Sequence, residues 1–536
     1  MINIKELELM IKESMENAYV PGLAIAITKG NETVYEAGFG VTSIEDNGIA
    51  ITPNTLFCIG SLTKPLTGTL LMRLVEENLL ELDLPIVNYI PWFQLANKEY
   101  SQRVTLRMLL SHTAGLPHIF EKYGDLDSGA LKRLVQNLSE ETFIFEPGFT
   151  WSYSDLGIDI AGYLAEVVTG RSYQELMIEY VFSPLGMSRS TFEPLVAMTY
   201  PLALAHQTTD NGTLEVIHKF VGNAAQNPSS FAMTTVHDVT RFMKMIAQGG
   251  RNKDERYLTS QTIADMHTVI GDYFTLEKSG YGLTFEIDHY NNVKKVWHDG
   301  SIQSYASWLF IAPEHELGVV IMTNKSQGLW EAAEEIINYV FDQVASSNKN
   351  EKSKVVEYNG SHLDVVKAVG TYIGSWLGVV RIVEEEGNLV LNVNGENKKL
   401  KPFGFDRFYG EEVTVGFVEK DCQVITSMVN GIPCEKIAEN PHYLYHVQDY
   451  TPYLGSFNEG NDLLRFYVED DRLMCFDQYD NKSYACTIVG PTRIVIPNCL
   501  IDFIPSDSNE YNSIRINKGK ILNKIKKTIL DRSLKI

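Results

Sequence analysis

The stretch Phe57-Cys58-Ile59-Gly60-Ser61-Leu62-Thr63-Lys64 has the pattern of a short strand end followed by the start of a helix. Residues 66–75 continue it with apolar side chains at helical spacing, and Pro65 falls in the first turn, where proline is tolerated. On that helix Lys64 lies on the same face as Ser61, so its amine can reach the hydroxyl. The unpaired N–H groups and positive dipole of the helix start can stabilise an oxyanion. The stretch therefore predicts a nucleophilic Ser61 activated by Lys64.

The Ser-x-x-Lys spacing alone is a weak signal, because Ser346-Ser347-Asn348-Lys349 repeats it inside a polar stretch. Two further patterns lie between these positions, Tyr153-Ser154-Asp155 and His298-Asp299-Gly300-Ser301. Tyrosine and histidine side chains can move protons to and from a reacting serine. The set of patterns therefore points to an acylated serine.

These patterns belong to a nearly continuous likeness that runs from about Pro21 to Asn324. The sequence resembles the serine beta-lactamase and penicillin-binding-protein superfamily, specifically the class C beta-lactamase-like hydrolases, which include D-aminopeptidases, D-peptidases and esterases. The resemblance implies an α+β fold (an α/β sandwich), with an antiparallel sheet flanked by helices and a helical subdomain. It rests on the segments 21–24, 57–64, 109–116, 146–148, 153–157, 184–187, 281–283, 298–301 and 319–324.

The resemblance also implies the roles of the site residues. Ser61 would be the nucleophile, Lys64 its activator and Tyr153 the second proton-transfer group. The oxyanion hole would consist of the backbone N–H groups of Ser61 and Ser301, with Gly300 beside them on a strand that lines the cleft.

His298 takes the place where many relatives have lysine. It is expected to hold a substrate carboxylate or carbonyl and to orient the tyrosine. A nearby Lys64 ammonium is expected to lower the pKa of Tyr153, so that the phenolate can act as a general base.

Asp155 departs from the common pattern, because many relatives have asparagine at this position. An ionised carboxylate only accepts hydrogen bonds, so it is expected to favour the charged form of Lys64 and to shift general-base duty toward Tyr153. It also offers a partner for a cationic substrate group such as a free α-amine. The alternative is a local structural acceptor, since aspartate often bonds nearby backbone. His112 is expected to belong to a structural turn after a helix.

The composition bounds the class of protein. A chain of 536 residues with a hydrophobic fraction of 44% is expected to be globular and to contain two or three domains. The formal net charge of −22 argues against a nucleic-acid surface and gives no reason to expect binding to anionic membranes. The six cysteines lack disulfide-like spacing. No metal-ligand or phosphate-loop motif occurs, so no metal and no other cofactor is predicted.

Residues 1–18 combine many charged side chains with one apolar stripe, which predicts an amphipathic helix and not a secretory signal. No apolar run approaches the ~20 residues that a bilayer requires. A cytoplasmic location is therefore expected, although many relatives act on cell walls outside the membrane. The expected partner is a small-molecule or short peptide substrate, and the oligomeric state is left open.

After a predicted closing helix at 331–344, the hydrophobic period changes to short alternating stretches separated by turn residues. A weak internal repeat relates Gly370-Thr371-Tyr372, Arg381 and Leu389 to Gly455-Ser456-Phe457, Arg465 and Leu473. The predicted layout is a catalytic domain at 1–345, a linker at 346–356, and two small antiparallel β-barrels at 357–446 and 447–536.

This layout resembles that of D-aminopeptidases, in which two β-barrel domains follow the catalytic domain and one of their loops limits substrate length. The predicted function is a serine hydrolase that forms an acyl-enzyme on Ser61, most concretely a D-aminopeptidase or D-peptidase acting on peptides or amides. The alternatives are an esterase or transacylase on a small natural product, or a penicillin-binding or beta-lactamase-like protein with slow deacylation.

Overall fold

The computed structural model describes residues 2–209, 212–253, 255–291, 293–326 and 328–344. It also describes 358–524 except 359, 375–376, 394, 439–448, 460–461, 478–481, 497–498, 505–510, 512 and 517–520. The predicted linker at 346–356 lies outside the described residues. The chain divides into two compact units, the first containing residues 1–116, 120–272 and 279–354, and the second containing residues 117–119, 273–278 and 355–536.

The first unit is built on an antiparallel sheet of eight strands. The strands Tyr305–Ala312 and Leu317–Thr323 lie near its centre and are buried along their whole length, as expected for a sheet covered on both faces. Across the sheet the strands are Glu32–Gly40, Gly22–Lys29, Leu317–Thr323, Tyr305–Ala312, Val293–Ile302, Glu286–Tyr290, Gly280–Tyr281 and Gly271–Asp272.

Helices cover both faces of this sheet. The helix Ile4–Asn17 buries its apolar stripe in a core that it shares with the helix Trp330–Val344, so both sequence-predicted helices are confirmed. The helix Val236–Ala247 covers the opposite face, where Met243 lies against Gly318 of the sheet. A side chain at Gly318 would meet the Met243 sulfur at 3.1 Å, which explains a glycine at this close approach.

The chain between the strands Glu32–Gly40 and Gly271–Asp272, about 41–270, contains the predicted helical subdomain together with the sheet-covering helix Val236–Ala247. These features confirm the predicted α+β fold. Short strand pairs join Phe57–Cys58 to Met233–Thr234, His206–Thr208 to Leu214–Val216, and Arg251–Asn252 to Glu255–Arg256. The helices are Thr63–Glu76, Lys98–Ser101, Leu106–Leu110, Ala130–Gln136, Asp155–Thr169, Tyr173–Met177, Ser183–Leu185, Pro194–Ala197, Asn227–Ser230, Val236–Ala247 and Ser260–Met266, with 3-10 turns at Gly60–Leu62, Ile86–Asn88, Leu138–Glu140 and Ala224–Gln226 and a π-helical turn at Ile178–Phe182.

The described residues of the second unit form two antiparallel sheets of nine strands each. In both, the strands lie in the spatial order four, three, two, one, nine, eight, seven, six, five. The two edge strands are successive in the chain, so each sheet curls into a nearly closed barrel. The first barrel contains Gly370–Gly374, Gly378–Glu385, Asn388–Val393, Glu396–Lys399, Lys401–Pro402, Arg407–Gly410, Val413–Lys420, Gln423–Val429 and Ile432–Ala438; the second contains Gly455–Glu459, Asp462–Glu469, Arg472–Asp477, Lys482–Ala485, Thr487–Gly490, Arg493–Ile496, Cys499–Ile504, Ser513–Ile516 and Ile521–Lys524.

The identical strand order confirms the internal repeat. Arg381 pairs with Thr371 between the first two strands of one barrel. Arg465 pairs with Ser456 at the same place in the other. Each barrel also has its own buried apolar core, as a domain of this size requires.

Two short segments, 117–119 and 273–278, belong to the second unit although they come from the sequence of the first. Phe274 lies against Gly416, where any side chain would collide with its ring, and the Arg407 guanidinium stands 4.7 Å from the ring centroid. The predicted domain boundaries did not foresee these segments. No helix in the described part of the chain is both long enough and apolar enough to cross a membrane.

Candidate active site

Ser61 lies in the 3-10 turn Gly60–Leu62, which leads directly into the helix Thr63–Glu76, called the Lys64 helix below. The strand Phe57–Cys58 precedes the turn, as the sequence predicted. Ser61 is partly exposed, whereas Lys64 is fully buried. Lys64 Nζ donates to Ser61 Oγ at 2.9 Å. The structure thus brings the first two predicted site residues into direct contact.

The Lys64 amine has two further acceptors. Nζ donates to the Ser229 carbonyl at 3.0 Å and contacts Asp155 Oδ1 at 2.5 Å. An ammonium has three N–H donors, so these contacts together with Ser61 account for all of them. The position of Nζ against Ser61 therefore depends on where the other two acceptors lie.

Tyr153 completes the group around the serine. Its side chain shares a hydrogen bond with Ser61, and Lys64 Nζ stands 4.9 Å from the centroid of its ring. Burial, followed by the negative charge of Asp155, raises the pKa of Tyr153 well above its usual value. The expectation of a lowered tyrosine pKa is therefore wrong, because these two effects outweigh any benefit from the Lys64 charge. Tyr153 is therefore a neutral phenol in the free enzyme and carries its proton.

Asp155 begins the helix Asp155–Thr169, called the Asp155 helix below, and only 3% of it is exposed. The preceding Ser154 caps this helix by accepting from the Gly157 N–H, which fixes the direction of the first turn. The carboxylate forms a buried ion pair with Lys64. This geometry favours the sequence hypothesis in which Asp155 acts on Lys64 over the one in which it binds a substrate amine.

His298 lies on the strand Val293–Ile302, called the His298 strand below, and both of its ring nitrogens are engaged. Nε2 lies 2.9 Å from the Tyr281 hydroxyl and Nδ1 lies 2.5 Å from the Asp299 carbonyl oxygen. Burial, followed by the Lys64 charge, lowers the pKa of His298 to about 3, so the ring is neutral. Nδ1–H therefore donates to the carbonyl, and Nε2 accepts from Tyr281. The expected grip of His298 on a substrate carboxylate does not fit this arrangement. The tyrosine to which the ring is hydrogen-bonded is Tyr281, so the orienting of Tyr153 stays a prediction.

The predicted oxyanion hole lies where the His298 strand meets the Ser61 turn. A Cβ at Gly60 would come within 2.7 Å of the Ser301 nitrogen, so the backbones of the two elements are in close contact. A Cβ at Gly300 would overlap the Ile59 carbonyl oxygen at 2.0 Å. Glycine at 60 and 300 thus permits the close approach of the two backbones that the predicted oxyanion hole requires.

Asp299 and Ser301 are the more exposed positions on this part of the His298 strand, in alternation with the buried His298 and Gly300. The side chain of Asp299 is 38% exposed. Partial burial raises the pKa of Asp299 to about 6, against the opposing effects of a backbone hydrogen bond and the Lys64 charge. The site therefore has a second carboxylate, and this one faces outward.

Sequence reasoning missed several residues that the structure brings to the site. Tyr281 is fully buried and its hydroxyl is hydrogen-bonded to His298. The centroid of the His112 ring lies 4.6 Å from that of Tyr281 and 4.4 Å from that of Tyr153. The turn expected at His112 is present, but the residue also accepts from the Ser154 N–H at 3.2 Å and so borders the site. The Tyr281-Gly282-Leu283 segment of the resemblance was the available signal for Tyr281.

The fold and this cluster are those that the sequence resemblance predicted for the first unit. The sequence model of the Beta-lactamase family matches residues 7–341, more than half of the chain. The chain therefore belongs to the beta-lactamase family.

Two curated relatives illustrate its place in that family. The chain is 22% identical over 324 residues to Protein flp of Staphylococcus aureus (strain MW2), which covers 60% of this chain and 63% of that protein, less than two thirds of its length. It is 28% identical over 313 residues to Penicillin-binding protein 4 of Amycolatopsis lactamdurans, covering 57% of this chain and 81% of the relative.

Solved structures share the fold at low identity. The octameric penicillin-binding protein homologue from Pyrococcus abyssi matches with a TM-score of 0.55 and 21% identity over 89% of this chain and 99% of that chain. The crystal structure of SurE with D-Leu matches with a TM-score of 0.59 and 19% identity over 81% and 99%. EstCE1, a hydrolase with promiscuous acyltransferase activity, matches with a TM-score of 0.55 and 21% identity over 63% and 98%.

Proposed function

We propose that this protein is a D-aminopeptidase or a related D-peptidase that cleaves peptides or amides through an acyl-enzyme on Ser61. The observation that carries the proposal is the partly exposed Asp299 carboxylate next to the oxyanion side of the site. A carboxylate there can bind the ammonium group of a substrate with a free N-terminus. The neighbouring His298 is neutral and offers no positive charge to a substrate carboxylate. The site thus favours an amine-bearing substrate.

Two observations support the D-configuration. The two barrels after the catalytic domain give the chain the layout that the sequence resemblance associates with D-aminopeptidases. One structural neighbour, SurE, has been crystallised with D-Leu.

In the proposed reaction, the Ser61 oxygen attacks the scissile carbonyl carbon. The Ser61 proton passes to Lys64 as Lys64 gives a proton to Asp155, which it already contacts at 2.5 Å. The oxyanion lies against the N–H groups of Ser61 and Ser301. Tyr153, a neutral phenol, donates its proton to the leaving amine as the C–N bond breaks.

Deacylation reverses these transfers. A water molecule attacks the acyl-serine and gives its proton to the Tyr153 phenolate. The Ser61 oxygen leaves and takes a proton from Lys64, which recovers one from Asp155. The proton balance of the site is then restored, and the free acid is released.

The proposal is tested by the variant Asp299→Asn on matched D-aminoacyl p-nitroanilides with a free or an N-acetylated amine. One charge-assisted hydrogen bond is worth about 1.5–3 kcal/mol, so KM for the free-amine substrate should rise roughly 10- to 100-fold while that for the acetylated one stays nearly constant. Asp155→Asn is the matched control, because its carboxylate is buried against Lys64, and it should alter kcat for both substrates together. Equal effects of Asp299→Asn on both substrates would overturn the amine-binding role.

A substrate panel separates the alternative activities. D- and L-aminoacyl p-nitroanilides, short-chain esters and a chromogenic cephalosporin are compared with burst kinetics recorded. Faster turnover of esters than of any free-amine amide would favour an esterase or acyltransferase, in line with the likeness to EstCE1. A stoichiometric burst with the cephalosporin and no turnover would favour a penicillin-binding protein with slow deacylation. Preference for L-substrates would contradict the D-peptidase proposal.

A further inference from the structure

Asp159 is a second carboxyl group on the Asp155 helix, one turn after Asp155, and it is fully buried. The residues on either side of it, Ile158 and Ile160, are also fully buried. A buried carboxyl group is costly unless its oxygens are hydrogen-bonded, so its partners indicate why it is there. The acyl-transfer steps described above do not use it.

Both oxygens of Asp159 bond to the 224–230 segment, which consists of the 3-10 turn Ala224–Gln226 and the helical turn Asn227–Ser230. Oδ1 accepts from the Ser229 N–H at 3.1 Å. Oδ2 accepts from Gln226 Nε2 at 3.3 Å. Gln226 and Ser229 are themselves buried, so water does not compete for these bonds.

Ser229 connects this carboxyl group to the catalytic amine. Its N–H bonds to Asp159, and its carbonyl oxygen accepts from Lys64 Nζ at 3.0 Å. Lys64 Nζ in turn donates to Ser61 Oγ at 2.9 Å. A continuous line of contacts therefore runs from Asp159 through a single residue to Lys64 and on to the nucleophile.

The Lys64 amine is aimed by its acceptors, because all three of its N–H donors are in use. Asp155 holds one donor from the Asp155 helix and Ser229 holds another from the 224–230 segment. If the Ser229 carbonyl shifts, the donor directed at Ser61 turns with it. A shift of about 1 Å at a reacting group can cost about 100-fold in rate.

We propose that Asp159 is a positioning residue, which fixes Ser229 so that the Ser229 carbonyl holds the Lys64 amine in line with Ser61 Oγ. The inference rests on the proposed acyl-serine function, but it does not depend on the substrate. It assigns the two aspartates of one helix to one task, since Asp155 contacts the amine directly and Asp159 acts on it through Ser229.

The test measures how fast a fluorophosphonate probe labels Ser61 in the full-length protein. Asp159→Leu removes both acceptors at similar volume and should slow labelling about 10- to 100-fold. Asp159→Asn keeps an acceptor for the Ser229 N–H and should restore most of the rate. For a hydrolysed substrate, the leucine variant should lower kcat much more than it changes KM.

Asp238 supplies the matched control. It is also buried on a helix, and it accepts from the Arg189 N–H at 2.8 Å and the Ser190 hydroxyl at 3.0 Å. Asp238→Leu should cost thermal stability to a similar extent without slowing the labelling of Ser61. Should Asp159→Leu fail to fold, Asp159→Ser, which is shorter and can be solvated, carries the same test.

Two outcomes would overturn the inference. One is a folded Asp159→Leu or Asp159→Ser protein that is labelled at the wild-type rate. The other is an equal loss of labelling in the Asp159 and Asp238 variants, which would reduce both to general stability. Absence of Ser61 labelling in the wild-type protein would instead contradict the acyl-serine function itself, so the two failures are distinguishable.

Discussion

The two carboxylates near Ser61 occupy opposite environments. On the buried side, Asp155 is 3% exposed and in contact with Lys64. On the open side, the side chain of Asp299 is 38% exposed, on a strand edge next to the oxyanion position. The buried carboxylate balances a charge inside the protein, whereas the open one can meet a charge on the substrate. The two environments therefore suit the same side chain to two different proposed functions.

The largest expected loss of activity is at Ser61, which lies between the two carboxylates. Ser61→Ala removes the atom that forms the acyl bond, so turnover should fall by at least about 10⁴-fold and fluorophosphonate labelling should disappear. Ser301→Ala is the control, because only its backbone N–H is assigned a function, and it should keep most of the activity. Labelling at another serine in the Ser61→Ala protein, with turnover retained, would contradict the assignment of Ser61 as the nucleophile.

The next largest loss of kcat is expected for Lys64 and Tyr153, which are proposed to transfer protons as one unit. Lys64→Met keeps the buried stem but removes the amine, and Tyr153→Phe removes the phenol; each should lower kcat by roughly 10³-fold. The double variant should lose little more than either single variant, because both residues serve the same proton transfers. Thermal melts are needed alongside, since Lys64→Met leaves Asp155 buried without its partner ion and should destabilise the fold by about 3–5 kcal/mol. Additive losses in kcat would show that Lys64 and Tyr153 act in separate steps.

The smallest expected effect is the pH dependence of kcat/KM that the exposed carboxylate Asp299 should cause. The pKa of Asp299 is raised from its usual 3.8 to about 6, so the carboxylate is ionised above that pH and becomes neutral below it. For a free-amine substrate, kcat/KM should therefore fall as the pH drops below 6, by no more than the roughly 10- to 100-fold loss expected for Asp299→Asn. Asp299→Asn should abolish this limb. His298 is not its source, because the pKa of His298 is about 3. If the fall in kcat/KM at low pH persists in Asp299→Asn, Asp299 is not the group that binds the substrate amine.

Much of the fold was predictable because it depends on local periodicity. The Lys64 helix, the amphipathic helix Ile4–Asn17 and the closing helix Trp330–Val344 all follow from the spacing of apolar residues. The barrel repeat was visible as a recurrence of Gly, Arg and Leu in the same order, with Arg and Leu eight residues apart in both copies, and the strand order of the two sheets repeats in the same way.

The site was predictable only in part. Ser61 and Lys64 are three residues apart, so helical geometry alone brings them together. Ser229 is 165 residues from Lys64 in the chain, and no local pattern predicts that its carbonyl accepts from the amine. The contact of Tyr281 with His298 likewise depends on how separate strands of the sheet are aligned.

The sequence by itself predicted a nucleophile, and it determined the helix that follows Ser61, the order of the elements and the residue types around the serine. The tertiary structure decided which of those residues are charged and which way they face. Burial raised the pKa of Tyr153 instead of lowering it, made His298 neutral and enclosed Asp155 against Lys64, whereas the side chain of Asp299 remained partly exposed. Chain connectivity can place a side chain on an element, but its protonation and its partners depend on the dielectric environment and the neighbours that packing provides.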